Sequence, residues 1–156
     1  MRNRELRSQI QSLSSLLDKV NQASNDDLEL QSHWAKYICI LSAGLLENAI
    51  YEIYREFSVK TSGRPVANFA TKALAKIRNP NTNKFLDTAR DFNPSWADEL
   101  ELYLNEEGRK EAINSIIANR HKIAHGKSSD ITIARIKDYL RKSIQVLEFI
   151  ENQIGS

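Results

Sequence analysis

Apolar residues recur every three or four positions along most of the chain, the spacing that places them on one face of an α-helix. A first stripe of this kind predicts an amphipathic helix over residues 6–20. Asp26 or Asp27 is suited to cap the next helix by accepting hydrogen bonds from its first free backbone N–H groups. That helix runs without a proline from about residue 28 to Phe57, which predicts a spine roughly 45 Å long for the fold.

The rest of the chain also predicts helices, separated by turns that are rich in proline, glycine and asparagine. The predicted pieces are residues 65–77, 83–90, 98–104, 107–123 and 133–154. Ser129 or Asp130 is expected to cap the last of them. No segment alternates as a strand bounded by turns does. The sequence therefore predicts an all-α helical bundle of four to five main helices with short helical insertions, in a single domain over 1–156 with an irregular insertion at about 58–107.

Composition narrows the class of protein without indicating a function. Hydrophobic residues make up 41% and charged residues 27%, as in ordinary soluble proteins. No segment reaches the roughly 20 apolar residues of a membrane span, and the first residues lack the apolar core of a secretion signal, so we expect a cytoplasmic protein with no membrane partner. The single cysteine, Cys39, excludes an internal disulfide, and its apolar neighbours predict a buried thiol.

Charge is distributed unevenly along the chain. The net charge of +2 is by itself too small to indicate nucleic-acid binding. Residues 120–142, however, contain seven lysines and arginines against two acids, and residues 96–111 are acidic. The basic stretch suits a phosphate backbone, and it equally suits the solvated face of a helix.

The segment NRHKIAHG, residues 119–126, concentrates the candidate chemistry of the chain. Arg120 and His125 are five residues apart, so they point about 140° away from each other on a regular helix. Steps of four from Ile116 and Ile117 lead to Arg120, His121 and His125, which predicts that these side chains continue the buried stripe. Because Gly126 indicates that the helix loosens or ends, an unwound last turn, or a second subunit, would bring Arg120 and His125 to one phosphate.

A buried arginine keeps its charge and therefore needs a carboxylate or a bound anion. Glu47 on the long helix is the preferred partner of Arg120, with Glu52 and Glu56 as alternatives, although such a pair can also serve only to fix the bundle. A histidine beside an arginine indicates acid–base chemistry on a phosphate ester. Zinc is the weaker interpretation, because HKIAH lacks the glutamate of the zinc protease motif and has no evident third ligand beyond Asp130.

The segment NRHKIAHG resembles the R-x4–6-H motif of HEPN domains, in which an arginine and a polar residue precede the histidine. Arg120, His121 and His125 fill these positions. The long helix, with Gly44 three residues before Glu47, is similar to the second helix of RiboL-PSP-type HEPN proteins, and the resemblance extends over about residues 28–150.

This resemblance implies a metal-independent endoribonuclease without a cofactor. It implies that Arg120 holds the scissile phosphate and that His125 acts as general acid or base for attack by the 2′-hydroxyl. It also implies that His121 orients the site and that Glu47 positions Arg120. The residues expected to bind RNA around this site are Asn119, Lys122, Lys127 and Arg135.

The resemblance also bears on partners. It implies a homodimer whose two motifs form one composite cleft, and a toxin or antiviral effector with a cognate antitoxin. The alternative is a catalytically inactive HEPN-fold module that binds RNA or protein. Trp34, Tyr37 and Tyr54 fit helical stripes, which favours contacts in the core or between subunits over base stacking.

Overall fold

The computed structural model describes residues 1–23 and 26–155. Its elements are α1 (Arg4–Ala23), α2 (Leu28–Thr61), α3 (Arg64–Leu74), α4 (Thr82–Phe92), α5 (Pro94–Leu104), α6 (Arg109–Ala124) and α7 (Ile133–Gly155). Seven helices and no strand occur in these residues, which confirms the all-α fold class. None of the helices described combines the length and the apolar character that crossing a membrane requires.

Helix α2 is the spine of the fold, as predicted. It has 34 residues and packs against α1, α3, α6 and α7. The side chain of Asp27 accepts a hydrogen bond of 3.0 Å from the backbone N–H of Leu30, which decides between the two predicted caps in favour of Asp27. Because its neighbours pack on several sides, α2 buries residues around most of its circumference, and only one face of its first half is left open.

A single apolar core surrounds α2 and includes residues from all seven helices. Its largest fully buried side chains include Leu6, Ile38, Leu45, Tyr54, Phe85, Leu100, Ile113 and Ile136. Cys39 is buried, as predicted, and burial raises the pKa of its thiol to about 11, although a hydrogen bond from the backbone of Arg120 opposes the shift. The thiol is therefore protonated at neutral pH and behaves as a small apolar side chain.

The start of α5 and the capping residue of α7 differ from the prediction. The side chain of Asn93 accepts a hydrogen bond from the first turn of α5, and Pro94 occupies the first helical position, so α5 begins four residues earlier than predicted. Thr132 accepts a hydrogen bond of 3.1 Å from the first turn of α7. Capping of α7 by Ser129 or Asp130 is therefore wrong.

The segment 58–107, expected to be an irregular insertion with short helical pieces, contains three helices of 11 residues each, α3 to α5. Phe85 and Leu100 are fully buried, and Leu104 is almost so. Helices α4 and α5 pack on each other, and α5 also packs on α7. The segment therefore contributes to the same core as the long helices.

Candidate functional site

The cluster of Arg120, His121 and His125 lies at the C-terminal end of α6, which remains regular to its last turn. The backbone N–H of His125 donates to the carbonyl of His121 at 3.1 Å, and Gly126 follows in the left-handed conformation with φ of 67°. Two further bonds close the ending, from Gly126 N–H to Ile123 O at 3.2 Å and from Lys127 N–H to Lys122 O at 2.9 Å. This pattern is a Schellman motif, a compact helix ending, so the predicted unwound last turn is wrong.

A regular last turn separates the arginine from the final histidine. Arg120 and His125 therefore project about 140° apart around α6. His121 and His125 share one face instead, with ring centroids 4.5 Å apart and ring planes at 64°. Both imidazoles are exposed and Arg120 is partly buried, so the prediction that the histidines continue the buried stripe is wrong.

We expect Gly126→Ala to lower the free energy of unfolding by about 1 kcal/mol, because an alanine is strained in the left-handed region. Urea denaturation measures this change. Gly126→Asn is the matched control and should cost less, because asparagine adopts that conformation more readily. Equal losses for the two variants would contradict the assignment of the strain to the backbone.

The backbone of Arg120 lies against α2, and its guanidinium has no carboxylate partner in the described residues. The thiol of Cys39 donates to the carbonyl of Ile116 at 3.5 Å, and the backbone N–H of Arg120 lies close enough to the same sulfur to oppose the rise in its pKa. These contacts fix where α6 crosses α2. The charge of the guanidinium remains available to an anion from outside this part of the chain.

Glu47 does not pair with Arg120 in the structure, so that predicted contact is wrong. Its carboxylate accepts a hydrogen bond of 2.8 Å from the backbone N–H of Asn79 and lies 3.6 Å from Nη1 of Arg78. The reason is distance along α2: Glu47 follows Cys39, where the backbone of Arg120 lies, by eight residues, or about 12 Å. The acid instead stabilises the turn after α3.

The basic residues divide into two groups. Arg141 and Lys142 both pair with Asp138, at 2.9 and 3.0 Å. Lys122 and Lys127 beside the motif are exposed and have no ion pair within the described part of the chain. Arg135 is also exposed, and within the described residues its guanidinium bonds only to the hydroxyl of Tyr139, at 3.5 Å. Lys122 and Lys127, the lysines nearest the motif in sequence, are therefore among the residues of the basic stretch that have no acidic partner in the described part of the chain.

Asn119, predicted to bind RNA, has both ends of its amide engaged by the protein. Its Nδ2 donates to the carbonyl of Ser115 at 2.9 Å, and its Oδ1 accepts from the hydroxyl of Ser129 at 2.7 Å. Asn119 therefore ties the turn after the motif to α6. Sequence reasoning missed this role of Ser129 because nothing local to the serine indicates which residue its hydroxyl meets.

Two histidines alone do not make a metal site. His121 and His125 offer two nitrogen ligands, and Asp130 was the only candidate for a third. Within residues 1–23 and 26–155, no three or more His, Cys, Asp or Glu side chains are grouped so that they could hold a metal ion.

A family model described as RiboL-PSP-HEPN matches residues 4–156. The chain belongs to this HEPN family. The match confirms the resemblance that the motif and the long helix indicated, and it extends the resemblance to α1 and to the end of α7. No curated protein and no solved structure matches the chain.

The segment from Arg120 to His125 combines an arginine without an acidic partner in the described residues with two exposed imidazoles at a regular helix end. In this HEPN protein the conformation of the motif is set by three features. These are the Schellman ending at Gly126, the contact of the Arg120 backbone with Cys39, and the bond between Asn119 and Ser129.

Proposed function

We propose that this HEPN protein is an endoribonuclease that cleaves RNA at Arg120 and His125 without a metal ion or other cofactor. The observation that carries the proposal is the guanidinium of Arg120, which has no acidic partner in the described residues. Arg109 shows what a structural arginine of this chain looks like: it is buried, lies 3.1 Å from Glu107 and 3.5 Å from Glu106, and stacks on Tyr103. An unpaired arginine near acid–base side chains suits an anionic phosphate.

The chemistry follows from these side-chain types. The ribose 2′-oxygen attacks the adjacent phosphorus and the bond to the 5′-oxygen breaks, which leaves a 2′,3′-cyclic phosphate and a 5′-hydroxyl. His125 takes the proton from the 2′-hydroxyl while water protonates the leaving 5′-oxygen, or His125 protonates the leaving oxygen while water takes the proton of the 2′-hydroxyl. Arg120 stabilises the charge on the non-bridging oxygens, and His121 orients the site. Because the nucleophile is a 2′-hydroxyl, the substrate is RNA, in exposed single strands or loops.

Within one chain the side chains of Arg120 and His125 point in different directions, which limits how a shared site can be assembled. Since they point about 140° apart, one chain does not aim both at one phosphate. We therefore propose a homodimer in which Arg120 of one copy and His125 of the other meet at a shared cleft. The same divergence also favours the second candidate function, an RNA-binding HEPN module without turnover, if no such dimer forms.

The surroundings of the motif supply attraction for RNA. Lys122 and Lys127 flank the histidines and Arg135 follows on α7, all exposed and without an acid partner in the described residues. A ribonuclease of this kind fits a cytoplasmic toxin or antiviral effector held in check by an antitoxin, and we include that role in the proposal. Asn119 supports the fold beside the motif and Glu47 supports the turn after α3, so the proposal gives neither of them a direct contact with RNA.

The test is cleavage of a single-stranded RNA by the purified protein in the presence of EDTA. We expect products that end in 2′,3′-cyclic phosphate. The same sequence as DNA, or with 2′-O-methyl groups, should stay intact because the nucleophile is missing. Loss of cleavage in EDTA would contradict a metal-independent reaction, and RNA binding without any cleavage would establish the second candidate instead.

A further inference from the structure

The turn between α3 and α4 is bonded to both α2 and α6. On one side, the backbone N–H of Asn79 donates to the carboxylate of Glu47 on α2 at 2.8 Å. On the other side, the side-chain oxygen of Asn114 on α6 accepts hydrogen bonds from the backbone N–H and the hydroxyl of Thr82, at 3.0 and 3.1 Å. Arg78 lies in this turn, so its backbone is held between the two helices.

The guanidinium of Arg78 is oriented by the protein but keeps one edge open. Its Nη1 donates to the carbonyls of Ala75 and Ile77, at 2.9 and 3.5 Å. Nε and Nη2 donate no hydrogen bond within the described residues, and the side chain is 70% exposed. In the buried Arg109, by contrast, Nε, Nη1 and Nη2 all have protein acceptors. The open edge of Arg78 is the fork of N–H groups that binds a phosphate with two hydrogen bonds.

Glu47 helps to orient this guanidinium without occupying its open edge. The carboxylate is 3.6 Å from Nη1, and it also accepts the backbone N–H of Asn79, which offsets part of its charge. An exposed ion pair of this kind contributes little to stability. The positive charge of Arg78 is therefore available to a phosphate at Nε and Nη2.

The turn that carries Arg78 contacts the face of α6 that carries the histidines. His121 follows Asn114 by seven residues and His125 follows it by eleven, so the three side chains lie within about 40° around α6. Along the helix axis, His121 is about 10 Å from Asn114, and the residue between them on this side is the exposed and short Ala118. A stacked nucleic-acid strand advances roughly 3.4 Å per nucleotide, so a strand bound at the motif reaches the turn within about three nucleotides.

A cleft beside Arg78 has room for a base. It has a volume of about 330 Å³ and opens between α2 and the end of α3, with both apolar and polar lining residues, which include Leu74, Ile77, Asn48 and Tyr51. Gly44 borders the cleft, and a Cβ at this position would meet nothing within 4 Å, so packing within the chain does not explain the glycine. The missing side chain does keep the cleft open to a group from outside the chain.

We propose that Arg78 and this cleft bind one nucleotide of single-stranded RNA, about two or three nucleotides from the bond that is cut. Nε and Nη2 of Arg78 hold the phosphate, and the base enters the cleft between Gly44 and Leu74. The proposal rests on the proposed function and adds a binding site outside the motif. Arg78 touches no reacting atom, so it contributes to the affinity for RNA and not to the chemical step.

The experiment measures the affinity of the full chain for a single-stranded RNA with 2′-O-methyl groups, which stays intact because the nucleophile is missing. Fluorescence anisotropy gives the dissociation constant over a range of salt concentrations. Arg78→Ala should weaken binding about tenfold, as expected for charge-assisted hydrogen bonds. It should also lower the slope of the salt dependence by about 0.7, the value for one phosphate of a single strand. Arg78→Lys should keep the slope and recover part of the affinity, because lysine keeps the charge without the fork.

Two further variants test the base cleft and the specificity of the effect. Gly44→Leu should weaken binding but keep the salt slope, because it fills the cleft and leaves the phosphate contact. Its fold should persist, since a Cβ has open space and leucine favours helix, and circular dichroism checks this. Arg90→Ala is the matched control for Arg78→Ala: Arg90 is exposed at the far end of α4, pairs with Asp87 at 3.2 Å and should not affect RNA binding.

The outcomes separate the binding site from the proposed function. Wild-type affinity or an unchanged salt slope in Arg78→Ala overturns the phosphate site, and so does an equal loss in Arg90→Ala. Gly44→Leu that binds as tightly as wild type overturns the base cleft. A chain that binds RNA through Arg78 but does not cleave unmodified RNA establishes the site and contradicts the ribonuclease. A chain that cleaves RNA, with Arg78→Ala unimpaired in binding, overturns the site and leaves the ribonuclease standing.

Discussion

Arg120→Ala is expected to lower the rate of RNA cleavage by about 10²–10³-fold, the usual loss when one group that stabilises developing charge is removed. The guanidinium has no carboxylate partner in the described residues, so its loss leaves no buried acid unpaired and the fold should persist. Single-turnover cleavage of a labelled RNA measures the rate, and thermal unfolding measures the fold.

The matched control for this variant is Arg141→Ala. Arg141 belongs to the same basic stretch, but it is exposed on α7 and pairs with Asp138 at 2.9 Å, so its removal should leave cleavage almost unchanged. Arg120→Lys should be intermediate, because lysine keeps the charge but not the two-pronged geometry that fits a phosphate. Full activity of Arg120→Ala would remove this residue from the proposed site.

His125→Ala is expected to lower cleavage by about 10²–10⁴-fold, the range that a general acid or base contributes. His121→Ala should lose less, because its proposed role is to orient the neighbouring ring, whose centroid is 4.5 Å away. His33→Ala is the matched control: this exposed histidine on α2 lies 3.9 Å from Glu29 and takes no part in the proposed chemistry. A loss for His33→Ala as large as for His125→Ala would contradict the assignment.

Mixing the two inactive variants tests whether the site is shared. A dimer of one Arg120→Ala chain and one His125→Ala chain still holds one intact arginine and one intact histidine, on different copies. Cleavage should therefore return when the two proteins are mixed and allowed to exchange subunits. An absence of recovery, in a mixture shown to contain mixed dimers, would mean that Arg120 and His125 act within one chain.

The sequence by itself determined those features that depend on neighbouring residues. Helical periodicity predicted the all-α class and the long α2, because the faces of a helix are set by positions three and four residues apart. Asp26 and Asp27 were recognised as candidate caps because a cap bonds to backbone N–H groups two or three residues away, and the structure selects Asp27, which bonds to Leu30. The motif from Arg120 to His125 was likewise contained in one short segment, and together with the long helix it indicated the family that the family model confirms.

Only the tertiary structure decided which residues meet across the chain. Glu47 contacts Asn79 rather than Arg120, because the turn after α3 reaches the middle of α2, while the end of α6 meets α2 nearer its N-terminus, at Cys39. The hydroxyl of Ser129 reaches Asn119 only because the chain folds back after α6. The three helices in 58–107 join the core for the same reason: the pattern of a short segment shows that it has an apolar face, but not what that face packs against.

The end of α6 shows both what the sequence determined and what only the structure decided. Gly126 marked in the sequence where the helix stops, but a glycine permits either a loosened turn or a compact ending. The backbone hydrogen bonds of the Schellman motif select the compact ending, so the histidines share an exposed face and Arg120 points elsewhere. The sequence therefore determined the chemical groups of the site, and the fold determined their directions, because direction depends on backbone geometry that residue types alone leave open.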